Sequence, residues 1–217
     1  MQIRIATAAV FSLVLASTSL AADLPDHKAI ESFDSVPEFT WTGGYIGLAA
    51  GYGFGSASFN TPGAASGNFK TSGPNYATTL GYIKQSGSIV YGLEGDFGLN
   101  WDRGTNGATN PCPSCQVSNP WLATIRGRVG YARDTLLFYA TGGWAYGDVR
   151  VKNSIGNEEA HNNAGWTLGA GTEYAFASAY SVKLEYLYVD LGTTGFGGGM
   201  NTRFNENILR VGLNGHF

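Results

Sequence analysis

The most constraining feature of this sequence is an alternation of apolar residues with small or polar ones, which returns eight times along the chain. In the first run, Ile46, Leu48 and Tyr52 share one parity, while Tyr45 and Gly47 fall on the other. Residues i and i+2 lie on the same side of a β-strand, so each run predicts a strand with one apolar face. The predicted strands are residues 41–54, 75–84, 89–101, 120–132, 136–147, 164–176, 180–190 and 206–217.

Charged residues in the middle of these runs fall on the parity opposite to the large apolar side chains. Arg126 and Arg128, for example, alternate with Ile125 and Val129. A charge on the lipid face of a barrel costs about 2–4 kcal/mol near the bilayer midplane, so the pattern indicates apolar side chains in lipid and charges in a lumen. A slip of one residue would move both arginines into lipid, so the charges fix the register.

Composition and strand length favour a membrane barrel. Only 13% of the residues are charged, against a typical share of about 25%, while the chain has 32 glycines. Runs of about ten residues match a tilted strand that crosses a bilayer, and beyond the N-terminal segment no apolar run reaches the roughly 20 residues of a spanning helix. The formal net charge of −3 provides no basic patch, so nucleic acid is not an expected partner.

The links between the predicted strands alternate in length. Those at 85–88, 133–135 and 177–179 are short. The long ones, rich in Gly, Ser and Asn, are 55–74, 102–119, 148–163 and 191–205. Exported barrels have short periplasmic turns and long extracellular loops. We therefore predict an all-β fold: an eight-stranded antiparallel up-and-down transmembrane β-barrel in the bacterial outer membrane, with both termini in the periplasm.

The N-terminus has the features of a secretory signal peptide. Arg4 supplies a positive charge, the apolar stretch that ends near Leu20 is too short to span a bilayer, and small residues precede a cleavage site after Ala21. Cleavage after Ala22 is the near alternative. The predicted segments are a signal peptide at 1–21, a periplasmic linker at 22–40 and the barrel at 41–217.

Eight inward-facing charges form the candidate functional site. They are Glu94, Asp96, Arg126, Arg128, Glu173, Lys183, Glu185 and Arg210. The interior of an eight-stranded barrel is just wide enough for side chains, so these acids and bases must pair with one another. Strand order predicts three groups: Glu94 and Asp96 with Arg126 and Arg128, Glu173 with Lys183, and Glu185 with Arg210. Such pairs would plug the lumen, and a gated pore in which a pair exchanges partners is the alternative.

Cys112 and Cys115 form a CxxC in a stretch rich in Pro and Asn, which is typical of a loop. Because the chain is exported and has only two cysteines, the pattern favours a small structural disulfide over a zinc site or a catalytic dithiol. No metal or cofactor is expected. The only strand histidine, His216, has inward parity, so we assemble no catalytic triad and expect no enzymatic activity.

The tryptophans lie toward the ends of the predicted strands. This position favours the interfacial aromatic girdles of a barrel over a ligand-binding box. The five residues are Trp41, Trp101, Trp121, Trp144 and Trp166.

Six segments carry a resemblance to a known family. They are WTGGYIGLAAGYG at 41–53, RGRVGY at 126–131, YATGGWAYG at 139–147, GWTLGAGTEY at 165–174, KLEYLYVDLG at 183–192 and RVGLNGHF at 210–217. As a set they resemble the alphaproteobacterial outer-membrane immunogenic proteins, porin-like surface barrels that include haemin-binding members. The resemblance covers almost all of the predicted barrel.

The resemblance implies an OmpA-like barrel of eight strands with a surface role and no enzymatic activity. Phe217, with Leu209 and Leu213 on its face, is like the signal that the barrel assembly machinery reads on its clients. We expect a structural envelope protein that contacts outer-membrane lipid and lipopolysaccharide, the assembly machinery, and a host or extracellular ligand. The alternatives are a narrow porin-like channel, capture of haemin or another ligand by the loops, and a lipid-modifying enzyme.

Overall fold

The structure, a computed structural model, describes residues 39–60, 67–101, 104–105, 116–152, 158–196 and 200–217. Ten β-strands lie within these residues: β1 Gly43–Asn60, β2 Gly67–Ser86, β3 Ile89–Asn100, β4 Gly104–Thr105, β5 Gln116–Ser118, β6 Trp121–Arg133, β7 Leu136–Lys152, β8 Glu158–Ala177, β9 Tyr180–Phe196 and β10 Met200–His216. In this part of the chain no helix has the length and apolar character needed to cross a membrane.

The eight long strands close into a barrel. Consecutive long strands pair antiparallel in the order β1, β2, β3, β6, β7, β8, β9 and β10. The first and last strands then pair from Tyr45 opposite His216 to Asn60 opposite Asn201. The short strand β5 pairs with β7 at the end of the barrel that carries the long links. The predicted eight-stranded antiparallel barrel is therefore confirmed.

Two-residue turns connect the strands at one end, which we call the short-turn end. They occupy residues 87–88, 134–135 and 178–179, within the short links that the sequence predicted. Gly87 and Asp134 adopt positive φ angles of 59° and 54°. Glycine and aspartate accept this left-handed conformation more readily than most residues, so they suit these turns. The opposite end is the long-loop end.

Side chains alternate between two environments along the long strands. Ile125 is 64% exposed on the outer surface, whereas its neighbour Arg126 is fully buried in the lumen. A large exposed apolar surface is unfavourable in water but is what a lipid-facing barrel wall requires. The outward side chains therefore form an apolar band, and the polar side chains fill the interior.

The strands extend further toward the long-loop end than the sequence predicted. β1 and β2 remain paired up to Phe59 opposite Gly67, and β7 and β8 up to Lys152 opposite Glu158. Beyond the apolar band the outward side chains need not be apolar, so the alternation in the sequence fades while the backbone hydrogen bonds continue. Inward residues there, such as Thr71 and Phe204, remain buried. The residues wrongly assigned to long loops are 55–60, 67–74, 104–105, 116–118, 148–152, 158–163, 191–196 and 200–205.

Candidate functional site in the barrel lumen

The candidate site is the lumen network, which we define as the eight predicted inward charges. All eight side chains are buried inside the barrel. They come from five strands: Glu94 and Asp96 from β3, Arg126 and Arg128 from β6, Glu173 from β8, Lys183 and Glu185 from β9, and Arg210 from β10. Four carboxylates face four cationic groups, so the formal charge of the network cancels.

Arg126 lies at the centre of the lumen network. Its guanidinium donates hydrogen bonds to Glu94 and Asp96, and its Nη1 lies 3.4 Å from Glu185 Oε1. Glu94 stands directly opposite Arg126 in the register between β3 and β6, so strand pairing itself brings these two side chains together. The structure thus contains the contact between Arg126 and the acids of β3 that strand order predicts.

Arg210 joins the network from the last strand. Its Nε donates to Glu185 Oε2 at 2.7 Å, and its Nη2 donates to Asp96 Oδ2 at 2.8 Å. The first contact is the expected one between neighbouring strands, whereas the second reaches β3 across the lumen. The charged side chains therefore form one connected cluster across the interior, not a set of separate neighbour pairs.

The predicted pair between Glu173 and Lys183 is wrong. These residues stand opposite each other in the register between β8 and β9. Lys183 Nζ instead lies 3.2 Å from Glu94 Oε2, and the Glu173 carboxylate pairs with Arg128. A lysine side chain is long enough to cross the narrow lumen, and the planar guanidinium of Arg128 is a better partner for a buried carboxylate.

Uncharged side chains that sequence reasoning missed complete the lumen network. Tyr45 Oη donates to Glu94 Oε2 at 2.6 Å, and Tyr139 Oη donates to Glu185 Oε1 at 3.0 Å. The Arg128 guanidinium lies 3.6 Å from the centre of the Tyr139 ring, a cation–π contact. Both tyrosines have inward parity, which was a usable signal. Parity does not reveal, however, which carboxylate each hydroxyl contacts.

Two glycines leave room for these tyrosines. A Cβ at Gly81 would lie 2.3 Å from Cζ of Tyr45, and a Cβ at Gly171 would lie 2.6 Å from Oη of Tyr139. Both separations are far below van der Waals contact, so any larger residue would displace the tyrosine. Part of the high glycine content therefore serves the packing of the lumen.

Ser181, His216 and Glu173 lie together but lack the geometry of a catalytic triad. Ser181 Oγ is 2.8 Å from His216 Nε2, and Glu173 Oε1 is 3.6 Å from the same nitrogen. In a triad the acid orients the imidazole through the ring nitrogen that does not face the serine. The Ser181 hydroxyl is also buried and donates to Glu173. This cluster is not arranged to activate a serine.

The short-turn end of the lumen is closed by an aromatic cap, which consists of Phe39 and Trp41. Trp41 is 0% exposed and packs among buried residues that include Tyr45, Ile83 and Leu137. The centres of the Phe39 and Trp41 rings lie 4.9 Å apart, and the rings meet edge to face. The prediction that Trp41 belongs to a girdle is therefore wrong. Within the predicted strand 41–54, Trp41 shares the inward parity of Tyr45, and the girdle assignment did not use this signal.

Other tryptophans lie on the outer surface, as a girdle requires. Trp101, Trp144 and Trp166 are exposed. The Trp101 ring lies 5.5 Å from that of Tyr76, and the Trp166 ring lies 5.3 Å from that of Tyr188. These aromatic pairs lie at the long-loop edge of the band of exposed apolar side chains, where amphipathic rings suit a membrane interface.

The predicted assembly-signal residues share the outer surface. Leu209, Leu213 and Phe217 are exposed, Phe217 at 78%. The backbone of Phe217 exchanges hydrogen bonds with Gly44, at 2.9 and 3.0 Å. The last residue of the chain thus takes part in the seam between β1 and β10, and its role in assembly stays a prediction.

The remaining sequence-based candidates concern cysteine and metal. Cys112 and Cys115 lie outside the described residues, so their disulfide stays a prediction. Within the described ranges, no group of three or more His, Cys, Asp or Glu side chains could hold a metal ion.

A closed antiparallel barrel with an apolar outer wall and buried charges in its lumen defines a transmembrane β-barrel, because closure satisfies every backbone hydrogen bond in lipid. The sequence comparison gives the family. The chain matches the outer membrane protein beta-barrel domain over residues 8–217 and belongs to that family. It is thus an outer-membrane β-barrel protein.

Individual relatives agree with this assignment. The chain is 33% identical to the 31 kDa outer-membrane immunogenic protein of Brucella melitensis over 94% of this chain and 95% of the relative. It is 31% identical to the 22 kDa outer membrane protein of Rhizobium leguminosarum bv. viciae, covering 82% and 78% of the two chains. The crystal structure of OprG from Pseudomonas aeruginosa is similar in fold, with a TM-score of 0.54 at 11% identity, covering 83% of this chain and 99% of OprG.

Proposed function

We propose that this outer-membrane barrel is a structural and surface-interaction protein whose lumen is closed. The observation that carries the proposal is the lumen network, in which the Arg126 and Lys183 side chains have no accessible surface. A conducting pore needs a path of water, whereas here charged side chains contact one another across the interior. Removing one partner would leave a buried charge at a cost of about 3–5 kcal/mol, so the closed arrangement resists opening.

Recordings in planar bilayers test the closed lumen. The refolded chain without its predicted signal peptide is expected to give no current steps above those of a protein-free bilayer. Steady, reproducible steps from the unmodified protein would contradict the closed lumen and favour the second candidate.

The second candidate is a narrow channel that opens when ion pairs exchange partners. The Glu94 carboxylate favours it, because it contacts Arg126, lies 3.2 Å from Lys183 Nζ and lies 3.7 Å from Arg128 Nη1. A carboxylate with three cationic neighbours has alternative pairings of similar chemistry. A channel of this type would show voltage-dependent steps in the unmodified protein and altered steps in Glu94→Gln.

We propose that the long-loop end faces the outside of the cell and that both termini are periplasmic. Support comes from the length asymmetry of the connections and from the hairpins, which continue beyond the apolar band. These hairpins would meet a host or other extracellular ligand. The outer wall would contact lipid and lipopolysaccharide, and the exposed face of β10 would contact the assembly machinery.

A non-catalytic role is part of the same proposal. The relatives named above are described as outer-membrane or immunogenic proteins. Ser181 is buried and paired in a way that does not activate it. Mass analysis of lipid A after overexpression is expected to show no new species, and a modified lipid A that depends on this protein would contradict the proposal. Haemin capture by the loops stays a prediction, which a haemin titration tests.

A further inference from the structure

The aromatic cap, Phe39 and Trp41, lies across the short-turn mouth at a level separate from most of the lumen network. Trp41 is surrounded by buried apolar residues from several strands: Ile83, Val90, Ala132, Leu137 and Ala175. The centre of the His216 ring lies 5.7 Å from the centre of the Phe39 ring and 5.9 Å from that of the Trp41 ring system. The mouth is therefore filled by aromatic and aliphatic side chains, in contrast to the charged middle of the lumen.

Hydrogen bonds hold the cap on two sides of the mouth. On the side of β1 and β2, the Trp41 backbone N–H donates to Gln85 Oε1 at 2.9 Å, and the Gln85 backbone N–H donates to Thr42 Oγ1 at 2.9 Å. On the other side, Trp41 Nε1 donates to the backbone oxygen of Asp134 at 3.3 Å. Asp134 lies in the turn between β6 and β7, which is opposite β1 in the order of strands around the barrel. The chain at Trp41 and Thr42 thus spans the mouth from β2 to the turn between β6 and β7.

Tyr45 lies between the two layers. Its ring packs in the apolar cluster with Trp41, and its hydroxyl bonds to Glu94 in the lumen network. The hydrogen bonds of Trp41 are nevertheless made to Gln85 and to a backbone oxygen, and not to a charged side chain of the lumen network. The two layers can therefore be removed separately by substitution.

We propose that the aromatic cap is a second seal, placed in series with the lumen network, which keeps the barrel closed when the network alone is disrupted. A narrow apolar constriction excludes ions because it does not stay wetted. For two such barriers in series, current flows only when both are open. The inference rests on the proposed closed lumen, and it assigns residues 39–41 the role of a strap that shuts the short-turn mouth.

The test compares four proteins in planar bilayers: the unmodified chain, a cap variant Phe39→Ala/Trp41→Ala, a network variant Glu94→Gln/Arg126→Gln, and the combined variant. Neutralising one acid and one base keeps the formal charge of the network at zero, so the variant does not add a net buried charge. Each protein is first shown to fold by its mobility shift on heating in gel electrophoresis. If the network variant does not fold, Asp96→Asn/Arg210→Gln takes its place. Trp144→Ala is the matched control, because Trp144 is 76% exposed on the outer wall.

The expected result is that only the combined variant conducts, while the cap, network and control variants stay at the level of the protein-free bilayer. A network variant that conducts as well as the combined variant would show that the cap is not a seal. A folded but silent combined variant would overturn the inference as well. Current through the unmodified chain would instead contradict the proposed closed lumen. In that event, a larger current through the cap variant than through the unmodified chain would still support the seal. An equal current through the two proteins would overturn it.

Discussion

Tyr45 and Glu94 are 49 positions apart in the sequence, yet the hydroxyl of Tyr45 donates a buried hydrogen bond of 2.6 Å to the carboxylate of Glu94. The same hydroxyl oxygen lies 3.3 Å from Nη1 of Arg128. Hydrogen bonds to charged groups contribute about 1.5–3 kcal/mol, so Tyr45→Phe should lower the free energy of unfolding by an amount in this range. Urea titration of the refolded barrel in detergent measures the change.

Tyr82→Phe is the control for this substitution. Tyr82 is an exposed residue of the outer wall on β2, so loss of its hydroxyl should change the unfolding free energy little. Equal effects of the two substitutions would show that the Tyr45 hydroxyl contributes nothing specific to the lumen.

The lumen network predicts strong coupling between Arg126 and its acids. Arg126→Ala leaves Glu94 and Asp96 short of a base, and such a loss costs about 3–5 kcal/mol for a buried pair. A second substitution, Glu94→Ala or Asp96→Ala, should restore part of the stability because it removes a charge that has lost its partner. Contacting residues commonly couple by about 0.5–3 kcal/mol, which urea titrations of the single and double variants resolve.

Arg133 provides a control on the same strand. It is exposed at the short-turn end of β6, so Arg133→Ala should have little effect and should add independently to Glu94→Ala. Strictly additive losses for Arg126 with both Glu94 and Asp96 would mean that the ion pairs do not stabilise the barrel.

The sequence determined which side chains enter the lumen because charge and parity act together at each position. Arg126 could not face lipid, and this fixed the direction of Ile125 as well. The contact between the directly opposed residues Glu94 and Arg126 followed from strand order, whereas the opposed pair Glu173 and Lys183 makes other contacts. The parity of the C-terminal strand likewise predicted that Leu213 and Phe217 face outward, as they do.

Contacts across the lumen could not be predicted in this way. Whether Lys183 meets Glu173 or Glu94 depends on side-chain reach and on competition from Arg128, which no periodic pattern encodes. Trp41 shares the inward parity of Tyr45, but its position across the mouth depends on the path of the chain around the barrel end. The full strand length was hidden for a different reason: beyond the apolar band the outward side chains need not be apolar, so the sequence shows little alternation there.

Packing against Tyr45 makes Gly81 sensitive to the smallest side chain. A Cβ at this position would lie 2.3 Å from the tyrosine ring, and overpacking of this kind costs about 1–3 kcal/mol. Gly81→Ala should therefore destabilise the barrel. Gly127→Ala is the matched control, because its Cβ would meet no atom closer than 3.8 Å. Urea titration of both variants measures the contrast, and equal stabilities would contradict the tight packing.

Trypsin treatment of intact cells tests the proposed orientation. Lys152 and Arg203 lie toward the long-loop end, and Lys84 and Arg133 lie toward the short-turn end. If the long-loop end is extracellular, peptides from cleavage after residues of the first group should appear in mass spectrometry of the released material. Cleavage confined to Lys84 or Arg133 on intact cells would invert the orientation, and permeabilised cells serve as the control for access to both ends.

Variants at Phe217 can separate an effect on insertion in cells from an effect on the stability of the folded barrel. Its side chain is exposed, so it adds little to the packing of the finished barrel. Its backbone makes two hydrogen bonds at the end of a seam that continues through many further pairs between β1 and β10. Deletion of Phe217 should therefore slow insertion in cells while refolding in detergent remains nearly intact. Pulse-chase analysis of the heat-modifiable folded form measures the first effect, and urea titration measures the second.

Phe217→Ala distinguishes the aromatic side chain from the backbone seam. This substitution keeps the hydrogen bonds to Gly44 and removes only the ring, which packs near Gly44 on the outer surface. If the assembly machinery reads the terminal aromatic group, Phe217→Ala should slow insertion as much as the deletion does. Normal insertion of both variants in cells would contradict the prediction that Phe217 is part of an assembly signal. A defect in the deletion alone would assign the effect to the seam, because the ring is absent from both variants.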